Sequence, residues 1–238
     1  MTIIALDIET YSTNGRIPPF EQLKRGYLED QIVSVSFAII EDYPNLTNLT
    51  TITIIKDEEE LLKESIEVLA RRGKGVLLTY NGTNFDIHAL LMKSQKYGLD
   101  HHLKTALQGY DHIDVFKLVK YMKDKGLVAV NSLKLKDVAE VLKVNNHMKA
   151  EIEGKDYFKY YNEWRKELNP TAIFYNQNDA ILTLKVFVKL IERINNNNDS
   201  AGKNKHNKDS IIYVTVSKIL KLFHIFYKNL VDFIQSKG

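Results

Sequence analysis

Cysteine is absent from all 238 residues, which excludes disulfide bonds, thiolate zinc sites and a cysteine nucleophile. Any bound metal must therefore take oxygen or imidazole ligands. Histidine offers little for that purpose, because the seven present are scattered, with no His-Glu-x-x-His or other zinc spacing, and read as structural or exposed. An excess of one charge is also lacking. The formal net charge of +3 does not by itself indicate nucleic acid, although 33 Lys and Arg residues suffice for a local basic face. The N-terminal MTIIALDIET has no basic stretch ahead of its apolar run, which Asp7 and Glu9 interrupt, so it does not read as a signal peptide. In the C-terminal apolar stretch Lys218, Lys221, Lys228 and Asp232 break any membrane span. The expectation is a cytoplasmic protein with no membrane partner, in which the N-x-T triplets at Asn45, Asn48 and Asn81 carry no glycan. Internal repeats are absent as well.

What is present has the composition of an ordinary globular protein, 44% apolar and 26% charged, at a length that suits one α/β domain with an appendage. Residues 2–8 form a short, nearly unbroken apolar run, the pattern of a strand buried on both faces. Residues 31–40 and 50–56 read as two further strands separated by a Tyr-Pro-Asn turn. An acidic first turn at Asp57 opens a helix carrying Leu61, Leu62, Ile66, Leu69 and Ala70 at helical spacing, and Gly73 closes it. Residues 75–80 then form a strand, parallel to the first by the right-handed crossover rule. A helix capped by Asn84 runs to about Tyr97, and two shorter helices fall on HIDVFKLVKYM and on SLKLKDVAEVL, the latter started by Asn131 and Ser132. Pro170 begins a long helix through about Ile194. The order suggests a mixed sheet flanked by helices.

The domain is expected to span 1–194, followed by an Asn/Lys-rich linker at 195–210 and an amphipathic, helical tail at 211–238. The tail's apolar stripe, residues 211–235, suits packing on the domain, a protein partner or a second copy. Seven lysines against three aspartates in 199–238 suit a sequence-independent phosphate contact.

Three segments carry chemistry. Asp7 and Glu9, at i and i+2 of a strand, project to the same face, and neither belongs in a buried strand unless paired or ligating a metal. Asp57 and Glu59 repeat the same spacing, but in the first turn of a helix, where acids are ordinary. In TYNGTNFDIHAL, Asp86 lies in a first helical turn, which favours its ionised form. Tyr175 and Asp179, at i and i+4 of the long helix, share a face, so the phenol can hold a water that a metal on the carboxylate activates. Tyr110 and Asp114 repeat that spacing in what reads as a loop. His112 and Asp114 read as capping or structural groups.

The segments ALDIET, TYNGTNFDIHAL and FYNQNDAILT resemble the three exonuclease motifs of the DEDD superfamily, tyrosine branch, and are most similar to those of the proofreading domain of family B DNA polymerases. In that superfamily's histidine branch a His lies five residues before the last Asp, where this chain has Phe174. The resemblance covers residues 2 to about 192. It implies a ribonuclease H-like α/β fold with a mixed central sheet. It also implies two divalent cations, Mg²⁺ or Mn²⁺, held by Asp7, Glu9, Asp86 and Asp179, with Tyr175 orienting or deprotonating the attacking water. Thr10, Tyr11, Asn81 and Phe85 would hold the 3′-terminal nucleotide. The implied activity is a 3′-5′ exonuclease on single-stranded or frayed DNA ends. The alternatives are RNA as substrate or a binding module that has lost catalysis. The palm motifs of the polymerases are missing, so the chain reads as a free-standing nuclease or a subunit.

Overall fold

The computed structural model describes residues 1–12, 17–45, 48–144, 159–162 and 167–200, the last four as backbone only. The first apolar run becomes β1 (Ile3–Tyr11), which ends three residues beyond the expected 2–8. It occupies the centre of a five-stranded sheet of order β3-β2-β1-β4-β5. On one side β1 pairs antiparallel with β2 (Gln31–Ile40), which pairs antiparallel with β3 (Leu49–Ile54). On the other it pairs parallel with β4 (Gly75–Thr79), and β4 pairs parallel with β5 (Tyr110–Asp114). The expected mixed sheet and the parallel placement of β4 are therefore present.

Helices cover both faces, so the alternation of β1 divides its side chains between two cores. Ile4, Leu6 and Ile8 pack with Leu61 and Leu62 of α2 (Glu58–Arg72), Leu90 of α3 (Asp86–Lys96) and Leu103 of α4 (Asp100–Leu107). Ile3 and Ala5 face the other way, against Leu118 of α5 (Val115–Asp124), Val138 of α6 (Leu135–Val141) and Leu184 and Phe187 of α7 (Pro170–Ser200). Period-two geometry puts Asp7 and Glu9 on this second face, under α7. A short helix α1 (Pro19–Lys24) and a hairpin of β6 (Tyr161–Asn162) and β7 (Glu167–Leu168) complete the described elements.

Several boundaries differ from the sequence reading. The segment expected to begin a helix at His112 is strand β5 up to Asp114, because pairing with β4 wins over the helical pattern that starts at Val115. Tyr110 and Asp114 accordingly lie on a strand rather than in a loop. Helix α4 and the β6-β7 hairpin had no counterpart in the reading. Asn84 does not cap α3: Phe85 occupies that position, and the Asn84 amide instead donates to Asn81 Oδ1 at 2.9 Å. Helix α7 continues to Ser200, six residues into the expected linker. Residues 201–238, with the rest of that linker and the tail, lie outside the described residues. Among the described residues no helix is long and apolar enough to cross a membrane.

The α2-α3 side is tied by an ion pair within its apolar core. Glu58 and Lys93 side chains are 4% and 3% exposed, with Nζ 3.3 Å from Oε1. Glu58 also accepts the Ile32 amide at 2.8 Å and the Tyr97 hydroxyl at 2.9 Å, so one carboxylate joins β2, α2 and α3. Burial lowers the Lys93 pKa, and Glu58 opposes that shift. Removing the acid strands a buried ammonium, so Glu58→Ala is expected to cost about 3–5 kcal/mol. Urea unfolding should show it as a lower midpoint with an unchanged slope.

Candidate active site

β4 pairs with β1 only over Ile3–Ala5, which leaves the amides beyond that point without a strand on the β4 side. The Asp86 carboxylate fills the gap, its Oδ1 accepting the Ile8 N–H at 3.1 Å. This bond carries the second motif onto the first. Asp86 reaches it because the turn after β4 is tightly braced. Asn81 sits at φ 67°, in the left-handed region that asparagine tolerates. Its amide donates to Asp114 Oδ1 at 2.9 Å, and the Thr83 amide to Asp114 Oδ2 at 3.2 Å. Gly82 must be glycine, since a Cβ would lie 2.3 Å from the Thr79 side chain, whose hydroxyl pairs with His112 at 2.8 Å. His112 and Asp114 thus have the structural role expected of them.

The third motif arrives on α7. Tyr175 is buried, and its hydroxyl hydrogen-bonds the Asp179 carboxylate, as the shared helix face anticipated. Asn176, fully buried between them, donates from Nδ2 to Asp7 Oδ2 at 2.6 Å. Its Oδ1 accepts Ser34 Oγ at 3.0 Å and Ser36 Oγ at 2.6 Å. The register explains the choice of serines, because Ser36 lies opposite Asp7 and Ser34 opposite Glu9. One amide therefore locks β1, β2 and α7 together behind the first carboxylate.

The four carboxylates share one electrostatic environment. Burial, then repulsion from Asp86, Glu9 and Asp179, holds Asp7 well above the usual carboxylate range, and the Asn176 bond pulls it back in part. Glu9 is raised by burial and by Asp179 and Asp86, against a lowering by Lys136. Asp86 is pushed up to about 7 by burial, despite the Ile8 amide. This corrects the expectation that the helix terminus keeps Asp86 ionised, since desolvation outweighs the dipole in the cation-free protein. Asp179 is raised to about 6, chiefly by burial, with Lys136 and Tyr175 lowering it. The Lys136 ammonium stands 4.0 Å from the centre of the Tyr175 ring.

The site is gathered but not closed. Among the described residues no three acidic or histidine side chains are drawn together tightly enough to enclose a cation. Asp7 is turned toward Asn176 and Asp86 toward the Ile8 amide, and mutual repulsion opposes closer approach. The donor set nonetheless suits hard divalent cations, being four carboxylates with no thiol. Asp179 Oδ1 is buried with no hydrogen-bond donor, a vacancy that a cation would satisfy.

The residues expected to hold a nucleotide are placed differently from one another. Beyond Glu9 the register with β2 slips by one residue, a bulge that leaves Tyr11 opposite Gln31. Tyr11 then packs with Tyr161 and Tyr175, whereas Thr10 alternates to the opposite face. Phe85 is half-buried against the α2-α3 core, and the Asn81 side chain is held by Asn84. Sequence reasoning missed Asn176, Ser34, Ser36 and Lys136. Two serines at i and i+2 in the otherwise apolar strand QIVSVSFAII were a legible sign of a polar partner on that face.

The fold is that of the RNase H superfamily. The chain belongs to the RNase H superfamily, whose family model matches residues 25–191. That match takes in Asp86, Tyr175 and Asp179 and begins after Asp7 and Glu9. A DNA polymerase of Thermococcus aggregans is 28% identical over 115 residues, 47% of this chain and 6% of that protein. DNA polymerase 1 of Pyrococcus abyssi is 26% identical over 140 residues, 50% of this chain and 17% of that protein. The chain thus spans a small part of the length of these relatives. In fold it is similar to the family B DNA polymerase from Pyrobaculum calidifontis, with a TM-score of 0.61 and 19% identity, covering 80% of this chain and 24% of that one. The resemblance to the proofreading exonucleases of family B polymerases, read from three short motifs, holds.

Two outcomes are expected from this geometry. Asn176→Ala removes the buried hydrogen bonds to Asp7, Ser34 and Ser36, so stability should fall by about 1–3 kcal/mol. Divalent-cation affinity, read by calorimetry, should weaken about 10- to 100-fold. The second concerns pH. Because the folded-state pKa of Asp86 is raised from 3.8 to about 7, the native state binds more protons than the unfolded state between those values. Its contribution to stability is therefore lost as pH rises through that window. Asp86→Asn keeps the acceptor for Ile8 and removes the charge. In EDTA at pH 8 its thermal midpoint should exceed wild type by about 2–4 °C, equivalent to about 1 kcal/mol, and the gain should shrink at pH 5.

Proposed function

We propose that the chain is a metal-dependent 3′-5′ exonuclease that releases nucleoside 5′-monophosphates from single-stranded or frayed DNA. The observation that carries this reading is that Asp7 feels the charges of Asp86, Glu9 and Asp179, while a buried Asp179 oxygen lacks a hydrogen-bond donor and the Tyr175 hydroxyl bonds the same carboxylate. Those four acids would hold two Mg²⁺ or Mn²⁺ ions, which when bound supply an activated water and stabilise the leaving alkoxide. The protein's own part is positioning. Asn176 fixes the Asp7 carboxylate, and the Ile8 amide fixes that of Asp86.

Burial and three neighbouring carboxylates push the Tyr175 phenol above its ordinary pKa, so at neutral pH it stays protonated. Beside the bound cations its hydroxyl would orient or deprotonate the attacking water. Lys136 adds a cation beside the ring, where it partly offsets the acids and can meet a substrate phosphate. Tyr11, Asn81 and Phe85 are assigned to the 3′-terminal nucleotide through their side chains, exchanging their present contacts for the substrate, and Thr10, whose side chain is on the opposite face, through its backbone. The catalytic unit is residues 1–194. DNA is the substrate chosen because the sequence relatives are DNA polymerases.

The test uses 3′- and 5′-labelled DNA and RNA oligonucleotides with Mg²⁺, Mn²⁺ or EDTA. Wild type should shorten DNA stepwise from its 3′ end only when a divalent cation is present, and Asp7→Ala should reduce this to background. Degradation by Asp7→Ala at the wild-type rate would sink the assignment. Tyr175→Phe should keep cation affinity while kcat falls about 100-fold or more.

A further inference from the structure

Thr183 lies deep in α7, 1% exposed, where Ala180, Leu184 and Phe187 beside it on the helix belong to the apolar core. Valine has nearly the same shape and would bury no polar atom there. Among the described residues, however, the Thr183 hydroxyl has no hydrogen-bond partner. A hydroxyl inside a helix commonly donates back to the carbonyl one turn earlier. Elsewhere in this chain it does so, Ser65 Oγ to the Leu61 carbonyl at 2.7 Å and Thr105 Oγ1 to the His101 carbonyl at 2.9 Å. Thr183 departs from that habit, so the helix backbone does not absorb its donor. Such a buried, unpaired hydroxyl costs stability and calls for a role.

The complementary atom stands one turn earlier on the same face. Asp179 is four residues before Thr183, a rotation of about 40° around the helix axis, with Cβ atoms about 5–6 Å apart. Its Oδ1 is likewise buried without a partner, while the Tyr175 hydroxyl bonds the same carboxylate. Helical side chains lean toward the N-terminus, which tilts Thr183 over the turn that carries Asp179. An ionised carboxylate oxygen has two lone pairs, so a cation on one leaves the other open to a hydroxyl. We propose that Thr183 is a positioning residue of the acid site, its hydroxyl donating to Asp179 Oδ1, directly or through one bridging water, when that carboxylate takes a cation. The proposal rests on the nuclease reading and adds the support behind the last of the four acids. Thr183 then gives Asp179 what Asn176 gives Asp7 and the Ile8 amide gives Asp86. The Tyr175 hydroxyl is engaged with the attacking water during the reaction, which leaves Thr183 as the donor that stays on Asp179.

The test separates the hydroxyl from the space it fills. Thr183→Val keeps the shape and removes the donor, Thr183→Ser keeps the donor, and Thr183→Ala is a second variant without it. Thermal unfolding in EDTA should place Thr183→Val at or above the wild-type midpoint, since an unpaired buried hydroxyl is gone. Mn²⁺ affinity, read by calorimetry, should nonetheless fall about 10- to 100-fold in Thr183→Val and Thr183→Ala, the effect of losing the group that holds a ligand. Thr183→Ser should bind Mn²⁺ within about threefold of wild type, because the donor remains. In an Asp179→Asn background, adding Thr183→Val should cause no further loss of the remaining Mn²⁺ affinity, because the hydroxyl acts through Asp179. Wild-type affinity in Thr183→Val, an equal loss in Thr183→Ser, or a further loss of the same size in Asp179→Asn overturns the proposal. Cation-dependent hydrolysis by wild type together with unchanged Mn²⁺ affinity in Thr183→Val removes the role of Thr183 alone. A wild-type chain that neither binds Mn²⁺ nor hydrolyses DNA removes the nuclease reading, and this support with it.

Discussion

Carboxylates brought together inside a protein raise one another's pKa values, and everything distinctive about this fold deals with that repulsion. Asp7, Glu9, Asp86 and Asp179 each feel burial, and Asp7 and Glu9 also feel the other acids directly. An isolated charge in such a place would simply take up a proton. A cluster of them is tolerable only where something positive can enter, or where rigid neighbours hold the groups against their mutual repulsion. Here the rigid neighbours are on view: the Ile8 amide on Asp86, the Asn176 amide on Asp7 and the Tyr175 hydroxyl on Asp179. The remaining Asp179 oxygen has no donor and marks where compensation is still due.

The scaffold supplies those neighbours through a short list of devices. Partial pairing of β4 leaves the outer half of β1 with open amides, so a helix-terminal acid can bond to the central strand. The Asp114 carboxylate bonds two amides of the turn that presents Asp86, which makes β5 a brace for the site although it contributes no group to it. A bulge after Glu9 shifts the pairing of β1 with β2, and beyond it the strand ends among tyrosines rather than apolar core. Stability is concentrated elsewhere, in the Glu58-Lys93 network and the two cores on either side of the sheet. This separation is the expected arrangement when a site stores unfavourable electrostatics.

Much of this was legible in advance because it depends on local pattern. The periodicity of β1, β2, β4 and α7 placed them within a few residues, and the i, i+2 and i, i+4 spacings correctly put Asp7 with Glu9 and Tyr175 with Asp179 on shared faces. What failed was decided by pairing between segments. Tyr110–Asp114 becomes a strand only because β4 offers an open edge, and the following helix disguised it. Asn84 looks like a cap, yet its amide is taken by Asn81 across a left-handed turn. The ionisation of Asp86 was misjudged for a related reason, since a helix terminus is visible in sequence whereas the burial that opposes it is not.

The sequence by itself determined the acids, their order along the chain and the class of fold that would gather them, because residue type, spacing and hydrophobic period are properties of short segments. Only the tertiary structure decided how those acids are held. Asn176 meeting Ser34 and Ser36, Asp86 meeting the Ile8 amide, and Lys136 standing over Tyr175 join residues between 39 and 142 positions apart. Such contacts follow from strand register and helix docking, which set distances that no local spacing encodes.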